Sequence, residues 1–130
     1  LGLVLGRLEA ALIMEAMAYG CPTTSAFISI HNMAAWMIDS FGSEELKARY
    51  LPDLVTMDKI ASYCLTEPGS GSDLASLSTR AVRDGDHYVL NGSKRYISGA
   101  SYADYAVLMA VTDPNAGAAG ISAFFVLRSG

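Results

Sequence analysis

Charged residues are scarce in this 130-residue sequence, and the shortage narrows the classes of protein to consider. Only 17% of residues are charged, whereas 52% are hydrophobic and spread along the whole chain, unlike a disordered segment. The nine lysines and arginines are scattered, and the formal net charge is -4. A nucleic-acid partner is not expected, because binding phosphates requires clustered basic residues. The composition predicts a soluble globular protein with a sizeable core.

Cysteine and histidine are also rare. Cys21 and Cys64 lack CxxC spacing and are predicted to be reduced core residues rather than a disulfide. His31 and His87 are far apart and have no partners at metal-ligand spacing, so no metal site is expected. We interpret His31 as a hydrogen-bonded core residue and His87 as an exposed strand residue.

The sequence has no long apolar run, and its first residues predict no signal peptide. Its most apolar segment, residues 25–40, is shorter than the roughly 20 residues that cross a bilayer and contains polar residues, so no membrane span is expected. The start lacks a basic segment and a small-residue cleavage site. The last apolar segment has nothing after it to pair with or cover it, which predicts that the chain is part of a longer protein.

Helical periodicity predicts three helices in the first half of the chain. The first, residues 5–19, ends at Gly20 and Pro22. The second, residues 25–40, is apolar nearly all round and is predicted to be buried, with Thr23 or Thr24 as its cap. The third is capped by Ser43 and stopped by Pro52. One face of the first helix carries Leu5, Leu8, Leu12, Ala16 and Tyr19.

After residue 60 the hydrophobic period becomes two, which predicts strands. The pairs Asp84-Gly85 and Asn91-Gly92 are hairpin signals around "DHYVL" and predict a β-meander. The Asn91-Gly92-Ser93 sequon is therefore interpreted as a type I′ turn and not as a glycosylation site. Further strands are predicted at 105–111 and 121–127. Helices followed by strands indicate an α+β fold with a boundary near residues 52–60.

The segment "TEPGSGSD", residues 66–73, is the main candidate for a binding site. It lacks the signatures of a P-loop, a dinucleotide-binding loop and a nucleophile elbow. Two glycines and two serines predict a nest of N–H and hydroxyl donors for phosphate, although an ordinary loop is the alternative. In a predicted strand "KRYIS", Tyr96 and Ser98 share one face. If that face meets Thr66, the group could hold a flat, polar heterocycle; core packing is the alternative.

Two segments, "ASYCLTEPGSGSDLAS" and "LNGSKRYISGA", resemble the flavin-contacting signatures of the acyl-CoA dehydrogenase family. The helical segment "AYGCPTTSAFISIHNMAAWMIDSFGSEE" is similar to the isobutyryl-CoA dehydrogenase branch of that family. The resemblance implies that residues 1–55 are the end of an all-helical N-terminal domain. Residues 56–130 would be an incomplete middle domain built as an antiparallel β-barrel or sandwich. The catalytic C-terminal helical domain would be absent.

The resemblance also implies FAD as the cofactor and assigns site residues. Leu65 and Thr66 would bind the pyrimidine side of the flavin ring, and Ser72 the pyrophosphate and the acyl-CoA. Tyr96, where many members have Trp, would stack on the flavin, and Ser98, where many have Thr, would bind its N5 atom. The implied cofactor contacts are Tyr63, Cys64, Leu65, Thr66, Glu67, Pro68, Gly69, Ser70, Gly71, Ser72, Tyr96, Ile97 and Ser98.

The implied reaction is α,β-dehydrogenation of a short branched acyl-CoA, isobutyryl-CoA in valine catabolism. A carboxylate removes the α proton while the β hydride passes to FAD, which electron-transfer flavoprotein reoxidises. The base would be a Glu beyond residue 130, so this chain would contain no catalytic residue and be inactive alone. Glu67 is interpreted as a structural carboxylate. Similar enzymes are homotetramers in the bacterial cytoplasm or mitochondrial matrix. An acyl-CoA oxidase and a non-catalytic binding module of the same fold are alternatives.

Overall fold

A computed structural model describes residues 6–128 of the chain. Within this range three helices precede five strands, which confirms the predicted α+β order. The helices are α1 (Arg7–Gly20), α2 (Pro22–Phe41) and α3 (Glu44–Thr56). The strands are β1 (Ala61–Cys64), β2 (Arg80–Asp84), β3 (His87–Asn91), β4 (Tyr105–Val111) and β5 (Ile121–Leu127). Short 3-10 helices occupy Leu74–Ser76 and Gly117–Gly120.

Only some of the predicted helix ends are confirmed by the structure. Ser43 caps α3 as predicted, because its Oγ accepts the Leu46 N–H at 3.2 Å. The predicted stop at Pro52 is wrong: α3 continues to Thr56. Proline costs this helix one backbone hydrogen bond, and the burial of Leu54 in the core stabilises the last turn.

The predicted cap of α2 at Thr23 or Thr24 is also wrong. The N-cap is Cys21, and Pro22 occupies the first turn, where its fixed φ suits a helix and its missing N–H leaves no donor unpaired. Cys21 is exposed, so its prediction as a core residue is wrong, whereas Cys64 is half-buried in β1. Both thiols are free.

Large apolar side chains on α1 and α2 face solvent in this chain. Leu8, Leu12 and Tyr19 are exposed on α1, and Leu5 of the same predicted face lies outside the described residues. The prediction that α2 is buried all round is wrong, since Trp36 and Phe41 are exposed. The reason is that α1, α3 and the sheet cover only part of α2 within residues 6–128. The buried residues of α2 are Ser25, His31, Ala34 and Ile38.

The sheet is mixed and open, so the expected antiparallel barrel or sandwich is not what the described residues form. Strand β4 pairs in parallel with β1, from Ala61 opposite Tyr105 to Cys64 opposite Leu108. On its other edge β4 pairs antiparallel with β5. The β2–β3 hairpin joins β4 through one parallel pair, Arg80 with Val111. The parallel pairs arise because the chain crosses over between β1 and β4 instead of turning back in consecutive hairpins.

One of the two predicted hairpin turns forms. Strands β2 and β3 are joined by the two-residue loop Gly85-Asp86, and Gly85 has a φ of 63° that glycine adopts without strain. The turn predicted at Asn91-Gly92 is wrong, because no strand follows β3 until Tyr105. Gly92 instead allows close approach: a Cβ there would lie 2.6 Å from the Thr79 Cα.

The core lies between α2, α3 and the β1–β4 pair, and it contains Ala34, Ile38, Leu54, Ala61 and Val107. His31, only 2% exposed, ties these elements together. Its Nδ1 accepts the Ala61 N–H at 3.1 Å, which places the proton on Nε2, and Nε2 donates to the Leu54 carbonyl at 3.0 Å. The prediction of a hydrogen-bonded core histidine is confirmed, and so is that of an exposed His87 on a strand.

Candidate cofactor site

The loop that follows β1 is closed by a tight turn. The backbone N–H groups and carbonyls of Glu67 and Ser70 bond to each other at 2.9 and 3.2 Å around Pro68 and Gly69. Ser70 is 3% exposed, and its Oγ donates to the Asp73 carbonyl at 2.7 Å. The backbone N–H and the hydroxyl of Ser70 are therefore committed to holding the loop.

Glu67 is a buried carboxylate that joins this loop to the start of β2. It accepts the Ser78 N–H at 2.7 Å, the Ser78 hydroxyl at 2.6 Å and the Thr79 N–H at 3.0 Å. Burial alone would raise the pKa of Glu67, but the hydrogen bonds from Lys94, Ser78 and Thr79 hold that pKa far below its ordinary value. Glu67 is thus an ionised structural carboxylate.

Lys94 connects the same loop to the segment 94–98. Its Nζ donates to Glu67 Oε1 at 2.9 Å and to the Leu65 carbonyl at 3.0 Å. The side chains of Lys94 and Glu67 are only 9% and 1% exposed, so water screens this ion pair weakly. Removing one member would leave an uncompensated buried charge.

Two further hydrogen bonds hold segment 94–98 against β1 and the loop. The Arg95 N–H donates to the Thr66 carbonyl at 2.8 Å, and the Ser62 hydroxyl donates to the Ser98 carbonyl at 2.7 Å. Residues 94–98 thus lie beside β1 and the loop that follows it. The predicted strand is wrong, however: Tyr96 has a left-handed φ of 59°, so Tyr96 and Ser98 do not share a strand face.

Tyr96 presents an open aromatic ring in the segment 94–98, which is joined to Thr66 through the Arg95 N–H. The residue is 79% exposed, and the Arg95 guanidinium carbon lies 4.6 Å from the ring centroid. The Thr66 N–H has no acceptor within residues 6–128. An exposed ring on one segment and an unused backbone donor on the segment bonded to it are groups that can bind a flat heteroaromatic ligand that carries a carbonyl group.

The glycine-rich part of the loop differs from expectation. Neither Gly69 nor Gly71 has a positive φ, and the Ser70 N–H points back to Glu67, so the predicted nest of donors does not form. Pro68, Gly69, Gly71 and Ser72 are exposed, and a Cβ on either glycine would meet nothing within 4 Å. This surface is open to a ligand.

The other predicted site residues are half-buried. Tyr63 and Cys64 lie in β1, Leu65 follows them, and Ile97 lies between Tyr96 and Ser98. Burial raises the pKa of the Tyr63 hydroxyl and of the Cys64 thiol, and the Lys94 ammonium partly offsets the rise at Cys64.

A cavity of about 490 Å³ opens beside Ser98, between the start of α2 and the turn that follows segment 94–98. The rings of Phe27 and Tyr102 lie 5.8 Å apart at this cavity. No local sequence pattern predicts this contact, because it joins residues from the two halves of the chain. The cavity is lined by Pro22, Thr23, Ala26, Phe27, Ser98, Gly99 and Tyr102.

Lys94, Arg95 and Ser62 are the functional residues that sequence reasoning missed. The segment "NGSKRYIS" offers no local signal for Lys94, because it is mostly polar and the burial of its lysine depends on the fold. Within residues 6–128, no three His, Cys, Asp or Glu side chains lie together as metal ligands. No helix in that range has the length and apolarity needed to cross a membrane.

Comparison with known proteins identifies both halves of the chain. Residues 1–58 match the family profile "Acyl-CoA dehydrogenase, N-terminal domain", and residues 62–130 match "Acyl-CoA dehydrogenase, middle domain". The chain is 56% identical over 122 residues to the mitochondrial isobutyryl-CoA dehydrogenase of Dictyostelium discoideum, covering 94% of this chain and 29% of the relative. It is 58% identical over 125 residues to the Bos taurus enzyme of the same name, covering 96% and 30%.

A solved structure described as an FAD complex of PigA has the same fold. The two chains are 38% identical, and the match covers 98% of this chain and 34% of the PigA chain with a TM-score of 0.91. The present chain thus spans about 30% of the length of the curated relatives it matches.

Proposed function

The chain belongs to the acyl-CoA dehydrogenase family, and from that premise we propose that the whole protein catalyses FAD-dependent α,β-dehydrogenation of isobutyryl-CoA. Residues 1–55 would be the end of its N-terminal helical domain and residues 56–130 part of its middle domain. The acyl group follows from the 56–58% identity to isobutyryl-CoA dehydrogenases over most of the chain.

One structural observation carries the cofactor assignment: the Arg95–Thr66 hydrogen bond joins the segment that bears the open ring of Tyr96 to the segment that bears the unused N–H of Thr66. We assign the pyrimidine edge of the flavin to Leu65 and Thr66, its ring face to Tyr96 and its N5 side to the Ser98 hydroxyl. The exposed backbone at Gly71 and Ser72 would approach the pyrophosphate, with Ser72 also contacting the acyl-CoA. Glu67 and Ser70 support the site from inside the loop rather than touching the cofactor directly.

Bound FAD would supply the acceptor for the β hydride of the substrate. The residues of this chain would orient the ring and exclude water from one side of it. Glu67 would not be the base that removes the α proton, because its carboxylate is buried and accepts hydrogen bonds from Ser78, Thr79 and Lys94. Electron-transfer flavoprotein would be the oxidant, and the whole enzyme a homotetramer of the mitochondrial matrix or bacterial cytoplasm.

The test is a turnover assay on the full-length protein with electron-transfer flavoprotein as acceptor. We expect methacrylyl-CoA from isobutyryl-CoA and slower turnover of straight-chain acyl-CoAs of similar length. Peroxide formed in equal amount to the acyl-CoA consumed would instead show an oxidase. Purification without flavin, under conditions in which a known family member retains FAD, would refute the enzyme function.

A further inference from the structure

We propose that Lys94 is a positioning residue that tunes the flavin through a single peptide group. This inference rests on the proposed function, because it requires the flavin to accept a hydrogen bond from the Thr66 N–H. The Lys94 ammonium would hold and polarise the peptide group that supplies this donor.

Lys94 is connected to the Thr66 N–H through one peptide group of the backbone. The Leu65 carbonyl and the Thr66 N–H belong to the same peptide group, and the ammonium of Lys94 lies 3.0 Å from that carbonyl oxygen. A cation at the oxygen draws electron density through the peptide and makes the N–H a stronger donor. The positive charge of Lys94 thus acts at the Thr66 N–H without Lys94 touching the ligand.

The Lys94 ammonium is held in place and is shielded from water. Glu67 holds Lys94 Nζ at 2.9 Å and is itself anchored by two N–H groups and a hydroxyl at the start of β2. The Lys94 side chain is 9% exposed. A charge held in a site that excludes water exerts a stronger effect than the same charge on the surface.

Hydrogen bonds also fix the orientation of the Thr66 N–H. The carbonyls of Leu65 and Thr66 are both bonded to the neighbouring segment, by Lys94 and by the Arg95 N–H. The two peptide groups therefore cannot rotate independently, and the Thr66 N–H keeps one direction. Because reduction adds negative charge to a flavin, a polarised donor would stabilise the reduced ring more than the oxidised one.

The experiment measures the equilibrium between reduced and oxidised flavin in the full-length holoenzyme against a redox dye. The key variant is K94M/E67Q, which removes both buried charges and so leaves the net charge unchanged. At the dye potential that half-reduces the wild type, we expect about a tenfold lower ratio of reduced to oxidised flavin, since a neutral group replaces a charged hydrogen-bond donor.

Two further variants complete the design. K94R keeps a cation at the Leu65 carbonyl and should restore the wild-type ratio to within about twofold. K47M removes a lysine on α3 that pairs with Glu44 at the surface, and it should leave the ratio unchanged. If K94M/E67Q does not retain FAD, the ratio is measured in K94Q/E67Q, which also removes both buried charges and for which the same fall is expected.

The outcomes separate this inference from the proposed function. A wild-type ratio in K94M/E67Q, or in K94Q/E67Q where K94M/E67Q loses FAD, overturns the role of Lys94 and leaves the dehydrogenase proposal intact. A tenfold lower ratio in K94R as well would show a packing effect instead of charge and would also overturn it. Absence of flavin from the wild-type protein would refute the proposed function itself.

Discussion

Replacing His31 by leucine should loosen the junction between the helices and the sheet. Leucine has a similar volume, so the main loss is chemical: the Ala61 N–H loses its acceptor at a site where His31 is 2% exposed. The Leu54 carbonyl loses the His31 donor but still accepts the Met57 N–H at 3.3 Å. An unpaired buried polar group costs about 1–3 kcal/mol, so we expect H31L to destabilise the junction by an amount in that range.

The assay is hydrogen–deuterium exchange of the full-length protein, followed in peptides that contain Ala61. A loss of about 2 kcal/mol should speed exchange of its amide roughly 30-fold. H31N should recover part of the protection, because an amide oxygen near the Nδ1 position can accept the Ala61 N–H. The matched control is N32L, which places leucine on the exposed neighbouring residue and should change stability by less than about 0.5 kcal/mol.

Wild-type protection of Ala61 in H31L would refute this account of the junction. The same conclusion would follow if H31L and N32L increased exchange equally, because the effect would then come from the leucine and not from the lost hydrogen bonds.

Three other predictions concern the site in the full-length protein. The pKa of Glu67 is lowered on folding, so the contribution of Glu67 to stability is fully present above its unfolded pKa of 4.5 and is lost as pH falls towards the folded pKa. The difference in urea midpoint between wild type and E67Q should therefore shrink on acidification. A difference that stays constant with pH would contradict this prediction. G71A should weaken FAD binding, because its Cβ would stand where the cofactor approaches, and should not lower the melting temperature, since that Cβ meets nothing within 4 Å in the protein. The control G20A, equally unhindered but in α1, should leave FAD affinity unchanged and should not lower the melting temperature, because alanine is favoured over glycine in a helix. Equal FAD affinity in G71A, G20A and the wild type would argue against a cofactor contact at Gly71. Replacing Tyr96 with tryptophan should retain the flavin spectrum, whereas Y96A should lower FAD affinity by about tenfold through loss of stacking, and unchanged affinity in Y96A would remove Tyr96 from the site.

The order of helices and strands could be predicted from the sequence because it depends on local signals. Ser43 caps α3, and the alternation in residues 105–111 and 121–127 forms β4 and β5 as predicted. These features follow from hydrogen bonds and side-chain periods within a few residues.

The failures arise where distant contacts override local preference. Asn91-Gly92 has the sequence of a hairpin turn, but Gly92 packs against Thr79 and the chain continues without a strand. Pro52 does not end α3, because Leu54 is buried beyond it. The parallel pairing of β1 with β4 joins residues 44 positions apart, and no local pattern specifies it.

The candidate site could be located from the sequence, but its internal organisation could not. The Arg95–Thr66 hydrogen bond brings the two predicted segments together, but Tyr96 and Ser98 do not form the shared strand face that was expected to meet Thr66. The roles of Glu67 and Lys94 depend on a buried ion pair across 27 positions, which requires the fold to be known. Whether the predicted residues bind FAD stays a prediction.

The most direct test of the central claim is anaerobic mixing of the full-length protein with isobutyryl-CoA while the visible absorption of its flavin is recorded. We predict that the absorption bleaches, and that it does so faster with isobutyryl-CoA than with straight-chain or other branched acyl-CoAs. Bound flavin that bleaches only with other thioesters would contradict the substrate assignment. Bound flavin that no acyl-CoA bleaches would contradict the dehydrogenase function.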